Sequence, residues 1–121
     1  MLIIVDASVA VKWFNEEKST DLALRLREAY FQGKLDFSAP DFLFIEVANA
    51  LRFNKELKTD DVTKAIGSIL KMDMQMVVPS EELLEKAVKF AFELDLTVYD
   101  AVYLALADIL KCPLITEDTR L

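Results

Sequence analysis

The stretch LIIVDAS, residues 2–8, decides the fold that we expect for this chain. A run of apolar, mostly β-branched residues is typical of a strand buried on both faces of a parallel sheet. Such a strand ends where α/β proteins place their ligands. Asp6 stands at that end, and a carboxylate is costly to bury there unless it is paired or holds a metal ion. We therefore treat Asp6 as a candidate functional residue, with a helix-capping role as the alternative.

Short strand candidates alternate with helical stretches along the rest of the chain. This alternation predicts an α/β fold of three layers, a short parallel sheet flanked by helices on both faces. The further strands are expected at 35–39, 75–78 and 114–115. The helices are expected at 8–14, from Ser19 or Thr20 to Gly33, and at 41–57, 59–72, 81–94 and 98–111.

Length and composition predict a single domain over residues 1–121. No apolar run approaches the roughly 20 residues that span a bilayer, and the amino terminus lacks the features of a signal peptide. The single cysteine, Cys112, favours a reducing cytoplasm, so we expect a cytoplasmic protein that does not enter membranes. Because the chain ends at Leu121, soon after the last predicted strand, a truncated carboxyl end is an interpretation that we retain.

Several kinds of chemistry are excluded by residue counts. The chain has no histidine and only 2 glycines, so histidine-dependent nucleophiles, histidine zinc sites and glycine-rich phosphate loops cannot be built. A net charge of −7 also argues against binding nucleic acid by bulk electrostatics. Metal ions in a carboxylate cluster would neutralise part of that charge. Any chemistry must therefore come from carboxylates, hydroxyls, amides and bound ions.

Three further acidic residues are candidates to converge on Asp6, namely Glu46, Asp100 and Asp118. Glu46 lies in an apolar helical stretch, and Asn49 follows three positions later on the same face. A polar site facing the sheet edge would suit this pair, and a solvent-exposed helix face is the alternative. Each candidate has an ordinary structural explanation by itself, so the joint pattern carries the hypothesis.

The other candidates stand at element ends. Thr97 is expected to cap the last helix, with Asp100 as the third residue of a capping box, a structural role that is compatible with a functional one. Thr116 and Asp118 follow the last strand much as Ser8 follows the first. The carboxyl ends of parallel strands meet at one sheet edge, so these side chains are expected to lie together.

A cluster of four carboxylates has a chemical consequence. Two unit charges ~5 Å apart at an effective dielectric of ~20 repel by roughly 3 kcal/mol, so such a site needs protons or cations. Ligands that are all oxygens select Mg²⁺ or Mn²⁺ rather than zinc. One or two such ions could activate water and stabilise the displacement at a phosphodiester. The pattern therefore favours a metal-dependent nuclease.

The sequence also resembles a known family, the PIN domains, and especially the VapC-like ribonuclease toxins. The resemblance rests on four motifs in the family's order and spacing. They are IVDASVA with KWF (4–10 and 12–14), PD with EVANAL (40–41 and 46–51), YDAVYLALA (99–107) and LITED (114–118). Relatives usually continue past the position of Leu121, which is the main departure from the family's pattern.

The resemblance implies a PIN-like fold and a set of roles. Mg²⁺- or Mn²⁺-dependent cleavage of RNA is the implied activity, and a homodimer silenced by a small antitoxin is the implied assembly. The implied catalytic and metal-binding quartet is Asp6, Glu46, Asp100 and Asp118, with Ser8, Asn49 and Thr116 as polar supports.

Two other functions compete with this interpretation. In a haloacid-dehalogenase-like phosphohydrolase, Asp6 would be the nucleophile, but that scheme usually has a second aspartate where this chain has Ser8. In a non-catalytic interaction module, the acidic pocket would bind an arginine of a partner. An aspartyl-phosphate trapped on Asp6 would favour the first, and melting that is unchanged by Mn²⁺ would favour the second.

Overall fold

The structure is a computed structural model that describes residues 1–15, 20–117 and 121. Strands and helices alternate through the described ranges, as the sequence predicts. In chain order they are β1 (Leu2–Val5), α1 (Ala7–Val11), α2 (Thr20–Phe31), β2 (Asp36–Pro40), α3 (Leu43–Arg52), α4 (Thr59–Lys71), β3 (Gln75–Val77), α5 (Glu81–Leu94), α6 (Val98–Leu110) and β4 (Leu114–Ile115).

The four strands form one sheet in the order β3-β2-β1-β4. Every pair is parallel, and Ile4 of β1 is in register with Ser38 on one side and Leu114 on the other. The predicted parallel sheet flanked by helices is therefore confirmed. From β1 the chain moves outward through β2 and β3 and then returns to β4 on the opposite side. The switch point at which α/β sheets bind ligands therefore lies at the carboxyl ends of β1 and β4.

The centre of the sheet is the core of the molecule. Ile4, Val5 and Ala39 are fully buried, as expected for strands covered on both faces. Trp13 packs against Phe37 with ring centroids 5.7 Å apart, and its indole N–H donates to the carbonyl of Ala23 at 2.9 Å. This contact fixes the end of the α1 region against both the sheet and α2.

Both boundaries of the third helix differ from the prediction. We expected the third helix to begin at Asp41, but the Asp41 amide still donates to the Val77 carbonyl of β3 at 2.9 Å, so α3 begins only at Leu43. The same helix ends at Arg52 rather than near Leu57. Asn54 then turns the chain, since its side-chain oxygen accepts from the Glu56 amide at 2.9 Å. Competing hydrogen bonds therefore shorten this helix at both ends, a long-range one at its start and a local one at its end.

Other expectations about the helices have mixed outcomes. The run SEEL at 80–83 predicts a helix cap at Ser80, and the cap is confirmed because the Ser80 hydroxyl accepts from the Leu83 amide at 3.1 Å. Helical spacing predicts that Leu22 faces inward, and this is wrong because Leu22 is 56% exposed and Ala23 is buried instead. Ser19, the alternative start of α2, lies outside the described residues. No helix in the described part of the chain is long and apolar enough to cross a membrane.

Candidate active site

Asp6 lies buried at the carboxyl end of β1, with 5% of its surface exposed. One carboxylate oxygen, Oδ1, accepts from the Ser8 hydroxyl at 2.5 Å and from the Val9 amide at 3.3 Å. The other oxygen, Oδ2, accepts from the hydroxyl of Thr116. Asp6 is therefore the N-cap of α1 and also the centre of a polar cluster.

Burial dominates the electrostatics of Asp6. It raises the pKa of the carboxyl, and the hydrogen bonds from Ser8 and Thr116 offset only part of that rise. The carboxylate is thus held in place by donors while it is poorly solvated. A buried anion in this state favours the approach of a cation.

The cluster joins residues from the two ends of the chain. The Ser8 hydroxyl oxygen lies 3.4 Å from that of Thr116 and accepts from the Glu117 amide at 2.9 Å. These contacts connect the segment after β4 to the first turn of α1. The side chains of Asp6, Ser8 and Thr116 therefore lie together, as the sequence predicts.

Glu46 is half-buried on α3 and points toward α6. Its Oε1 accepts from the hydroxyl of Tyr103 at 2.6 Å. Burial raises the pKa of Glu46, the Tyr103 hydrogen bond lowers it, and the charges of Asp100 and Asp6 raise it further. Glu46 is therefore close enough to Asp100 and to Asp6 to be repelled by both, and a bound cation would relieve that repulsion.

Asp100 is half-buried in the first turn of α6. Its amide donates to the Thr97 hydroxyl at 3.1 Å, which confirms Thr97 as the cap of this helix. The helix start holds the Asp100 backbone rigidly, and a negative side chain is favoured at this end of the helix dipole.

Tyr103 is a residue to which sequence reasoning assigned no role. It is 1% exposed, and burial together with the adjacent Glu46 raises the pKa of its hydroxyl strongly, so it remains a donor. Phe42 supports its ring edge-on, with centroids 5.6 Å apart. The available signal was its position three residues after Asp100 on an apolar helix, where a buried hydroxyl needs a partner.

The remaining predicted site residues are Asn49 and Asp118. Asn49 is exposed on α3, one turn beyond Glu46. Asp118 lies outside the described residues, so its predicted place in the quartet stays a prediction.

A cleft of about 440 Å³ opens beside the cluster. An ion pair lines the cleft, with Lys12 Nζ 3.2 Å from Glu117 Oε2. The lining residues are Ala7, Ser8, Val11, Lys12, Glu46, Ala50 and Glu117. The cleft gives solvent and ligands a route to the face on which Glu46 lies.

The donor chemistry of the cluster fits a hard divalent cation. Asp6, Glu46 and Asp100 offer only oxygen atoms, which suits Mg²⁺ or Mn²⁺. Among residues 1–15, 20–117 and 121, however, no three acidic or thiol side chains are arranged as a complete metal-binding group. The residues therefore match the cation in type, and metal binding by the set stays a prediction.

Comparison with known proteins identifies the family. The PIN domain family model matches residues 3–121. The chain is also 31% identical over 126 residues to Ribonuclease VapC3 of Pyrobaculum aerophilum, an alignment that covers 100% of this chain and 92% of that protein. The chain belongs to the PIN domain family, and the resemblance to its VapC-like members is confirmed.

Solved structures agree on the fold. VapC20 of Mycobacterium tuberculosis, described as a Sarcin-Ricin loop cleaving toxin, matches with a TM-score of 0.76 at 18% identity, over 97% of this chain and 90% of that chain. VapBC2 of Rickettsia felis, solved with a DNA fragment from its promoter, gives 0.70 at 14% identity, over 98% and 88%. At these identities the likeness establishes the architecture.

Proposed function

We propose that this chain is a metal-dependent endoribonuclease and the toxin of a type II toxin–antitoxin pair. The observation that carries the proposal is the buried Asp6 carboxylate, held by Ser8 and Thr116 at the switch point of the sheet and within electrostatic reach of Glu46. Oxygen ligands at this place suit metal-assisted phosphodiester hydrolysis. The ribonuclease and toxin names of the relatives support the same activity.

Four carboxylates would hold one or two Mg²⁺ or Mn²⁺ ions in this proposal, namely Asp6, Glu46, Asp100 and Asp118. When bound, such ions supply the positive charge that activates a water and neutralises the developing charge on the phosphate. Asp6 is the central ligand, because its position at the end of β1 is fixed by the largest number of described contacts.

The other residues of the cluster orient these carboxylates. The hydroxyls of Ser8 and Thr116 donate to the two oxygens of Asp6 and so fix the plane of its carboxylate. The Tyr103 hydroxyl donates to one oxygen of Glu46, Oε1, and so orients that carboxylate. Groups of this kind commonly change metal affinity or activity by roughly 10–100-fold when they are removed. Asn49, exposed one turn beyond Glu46, stays a predicted polar support of the site.

The partners follow from the same proposal. RNA is the proposed substrate and the cytoplasm the proposed location, and the VapBC2 structure of Rickettsia felis supports a cognate antitoxin. A homodimer is supported by an apolar stripe on α5, formed by Leu84, Val88 and Phe92, of which Phe92 is 87% exposed. Sedimentation velocity tests the dimer, and Phe92→Ser should shift it to monomer.

Cleavage of a mixed set of labelled RNAs with Mn²⁺ tests the activity. Wild type should cleave and Asp6→Asn should not. Asp36→Asn is the matched control, because Asp36 is exposed at the amino end of β2, far along the sheet from the site. Equal cleavage by wild type and Asp6→Asn would contradict the assignment of Asp6 and indicate a contaminating nuclease.

The two competing functions have distinct outcomes in related experiments. An aspartyl-phosphate trapped on Asp6 would replace the nuclease by a phosphohydrolase. The absence of cleavage, together with melting that Mn²⁺ does not change, would replace it by an interaction module, because an ion that binds only the folded state must raise stability.

A further inference from the structure

Glu117 is attached to α1 at two points. Its amide donates to the Ser8 hydroxyl at 2.9 Å, and its carboxylate oxygen Oε2 lies 3.2 Å from the Lys12 ammonium. Ser8 and Lys12 are four positions apart and therefore lie one above the other on the helix surface. We call these two contacts the Glu117 clamp. They hold the segment after β4 across one turn of helix.

The clamp acts where the sheet itself gives little support. β4 has two residues, Leu114 and Ile115, and among the strands that the structure describes it pairs with β1 alone, at the edge of the sheet. Thr116, the next residue, lies beyond this ladder, yet its hydroxyl bonds to Asp6. The contacts of Glu117 with α1 therefore add support next to Thr116, where the ladder has ended.

The ion pair of the clamp is unusual in its burial. The Lys12 side chain is 10% exposed and that of Glu117 is 36% exposed. Because the Lys12 ammonium is poorly solvated, its attraction to Glu117 is screened less than it would be at the surface. The Lys86–Asp108 pair between α5 and α6 is more open, with exposures of 37% and 42%, and it lies away from the site. It provides a matched control of the same chemistry.

We propose that Lys12 and Glu117 are positioning residues of the nuclease site. Their ion pair holds the end of β4 against α1, and it thereby keeps the Thr116 hydroxyl on Asp6 before metal or RNA arrives. The inference rests on the proposed ribonuclease function. Neither residue is required to touch the substrate, so the chemistry depends on them through Asp6 and Thr116.

Hydrogen exchange tests the clamp without any reaction. Lys12→Met and Glu117→Gln should each speed amide exchange over residues 114–117, because the segment loses its attachment to α1. Lys86→Met should leave exchange there unchanged. Unchanged exchange in Lys12→Met would overturn the proposal, and this result is independent of whether the protein cleaves RNA.

Steady-state cleavage tests the positioning role. Each single variant should lower kcat by about 10-fold with little change in KM, as expected for groups that orient a ligand. The double variant should be no worse than the singles, and Lys12→Arg should restore most of the activity. Asp108→Asn, the control, should behave as wild type.

Two kinetic outcomes would overturn the inference. A raised KM in Lys12→Met, with Glu117→Gln unaffected, would mean that Lys12 contacts an RNA phosphate directly. Losses that multiply in the double variant would mean that the two residues act independently. If wild type cleaves no RNA, the proposed function fails, and the clamp is decided by hydrogen exchange alone.

Discussion

The hydroxyl of Tyr103 donates to Glu46 Oε1 at 2.6 Å and so links two helices through residues that are 57 positions apart in the chain. This bond connects α6, which carries Asp100 in its first turn, to α3. Tyr103 is buried, whereas Glu46 remains half-buried beside the cleft. A hydroxyl from the core thus fixes the half-buried carboxylate of Glu46. The positions of the Glu46 and Asp100 carboxylates therefore both depend on how α3 and α6 pack.

Replacing Tyr103 with Phe should impair cleavage more than folding. The ring contact with Phe42 is retained, while Glu46 loses its donor, and cleavage should fall by roughly 10–100-fold. The lost hydrogen bond should lower the free energy of unfolding by about 1–2 kcal/mol. RNA cleavage and urea unfolding measure the two effects.

Tyr30→Phe is the control for this prediction. The Tyr30 hydroxyl donates to the Met72 carbonyl, so Tyr30→Phe also loses a partly buried hydrogen bond. This bond does not involve the residues of the site. The variant should lose stability and keep cleavage. If both variants lose cleavage in proportion to their stability, Tyr103 has no orienting role.

Replacing Asp6 with Asn should abolish cleavage and raise stability at neutral pH without metal. An asparagine oxygen can still accept from Ser8 and Val9, and its amide can donate to the Thr116 hydroxyl, so the hydrogen bonds are kept. The poorly solvated charge is removed. Thermal melting in EDTA measures the gain, and a lower melting temperature than wild type would show that the charge itself stabilises the fold.

The pH dependence of this gain has a definite sign. Burial raises the pKa of Asp6 above its ordinary 3.8, so the folded state binds more protons than the unfolded state between the two values. The contribution of Asp6 to the free energy of unfolding of wild type therefore increases as pH falls from the raised pKa toward 3.8. The gain in stability of Asp6→Asn over wild type should be full above the raised pKa of Asp6, and it should vanish as pH approaches 3.8. An advantage that is constant from pH 8 to pH 4 would contradict a titration origin.

Mn²⁺ should raise the melting temperature of wild type. An ion that binds only the folded state at about 100 times its dissociation constant adds roughly 2.7 kcal/mol. Glu46→Gln should weaken the effect and Asp6→Asn should remove it, while Asp36→Asn should keep it. Equal shifts in all four proteins would mean that Mn²⁺ binds elsewhere on this acidic chain.

The local elements and the candidate carboxylates could be predicted from the sequence. The buried run 2–5, the caps at Ser80 and Thr97 and the placement of Asp6 at a strand end all follow from short-range patterns. These patterns depend on neighbours within one or two turns, and for that reason they are readable in a single chain. The parallel sheet was predicted from the alternation of strand and helix patterns along the chain.

Other features depend on contacts between distant segments. The late start of α3 comes from the bond between Asp41 and Val77 across two strands. The roles of Tyr103 and of the Lys12–Glu117 pair arise because α3 packs near α6 and β4 lies beside β1. No local pattern carries that information.

The sequence by itself therefore determined which oxygen atoms this protein offers and at which element ends they lie. Only the tertiary structure decided which donors hold them, because hydrogen bonds and desolvation act over a few ångströms while their partners are up to 110 positions apart. Asp6 shows both parts: its place at the end of β1 follows from four preceding apolar residues, and its bond to Thr116 exists only once β4 has joined the sheet.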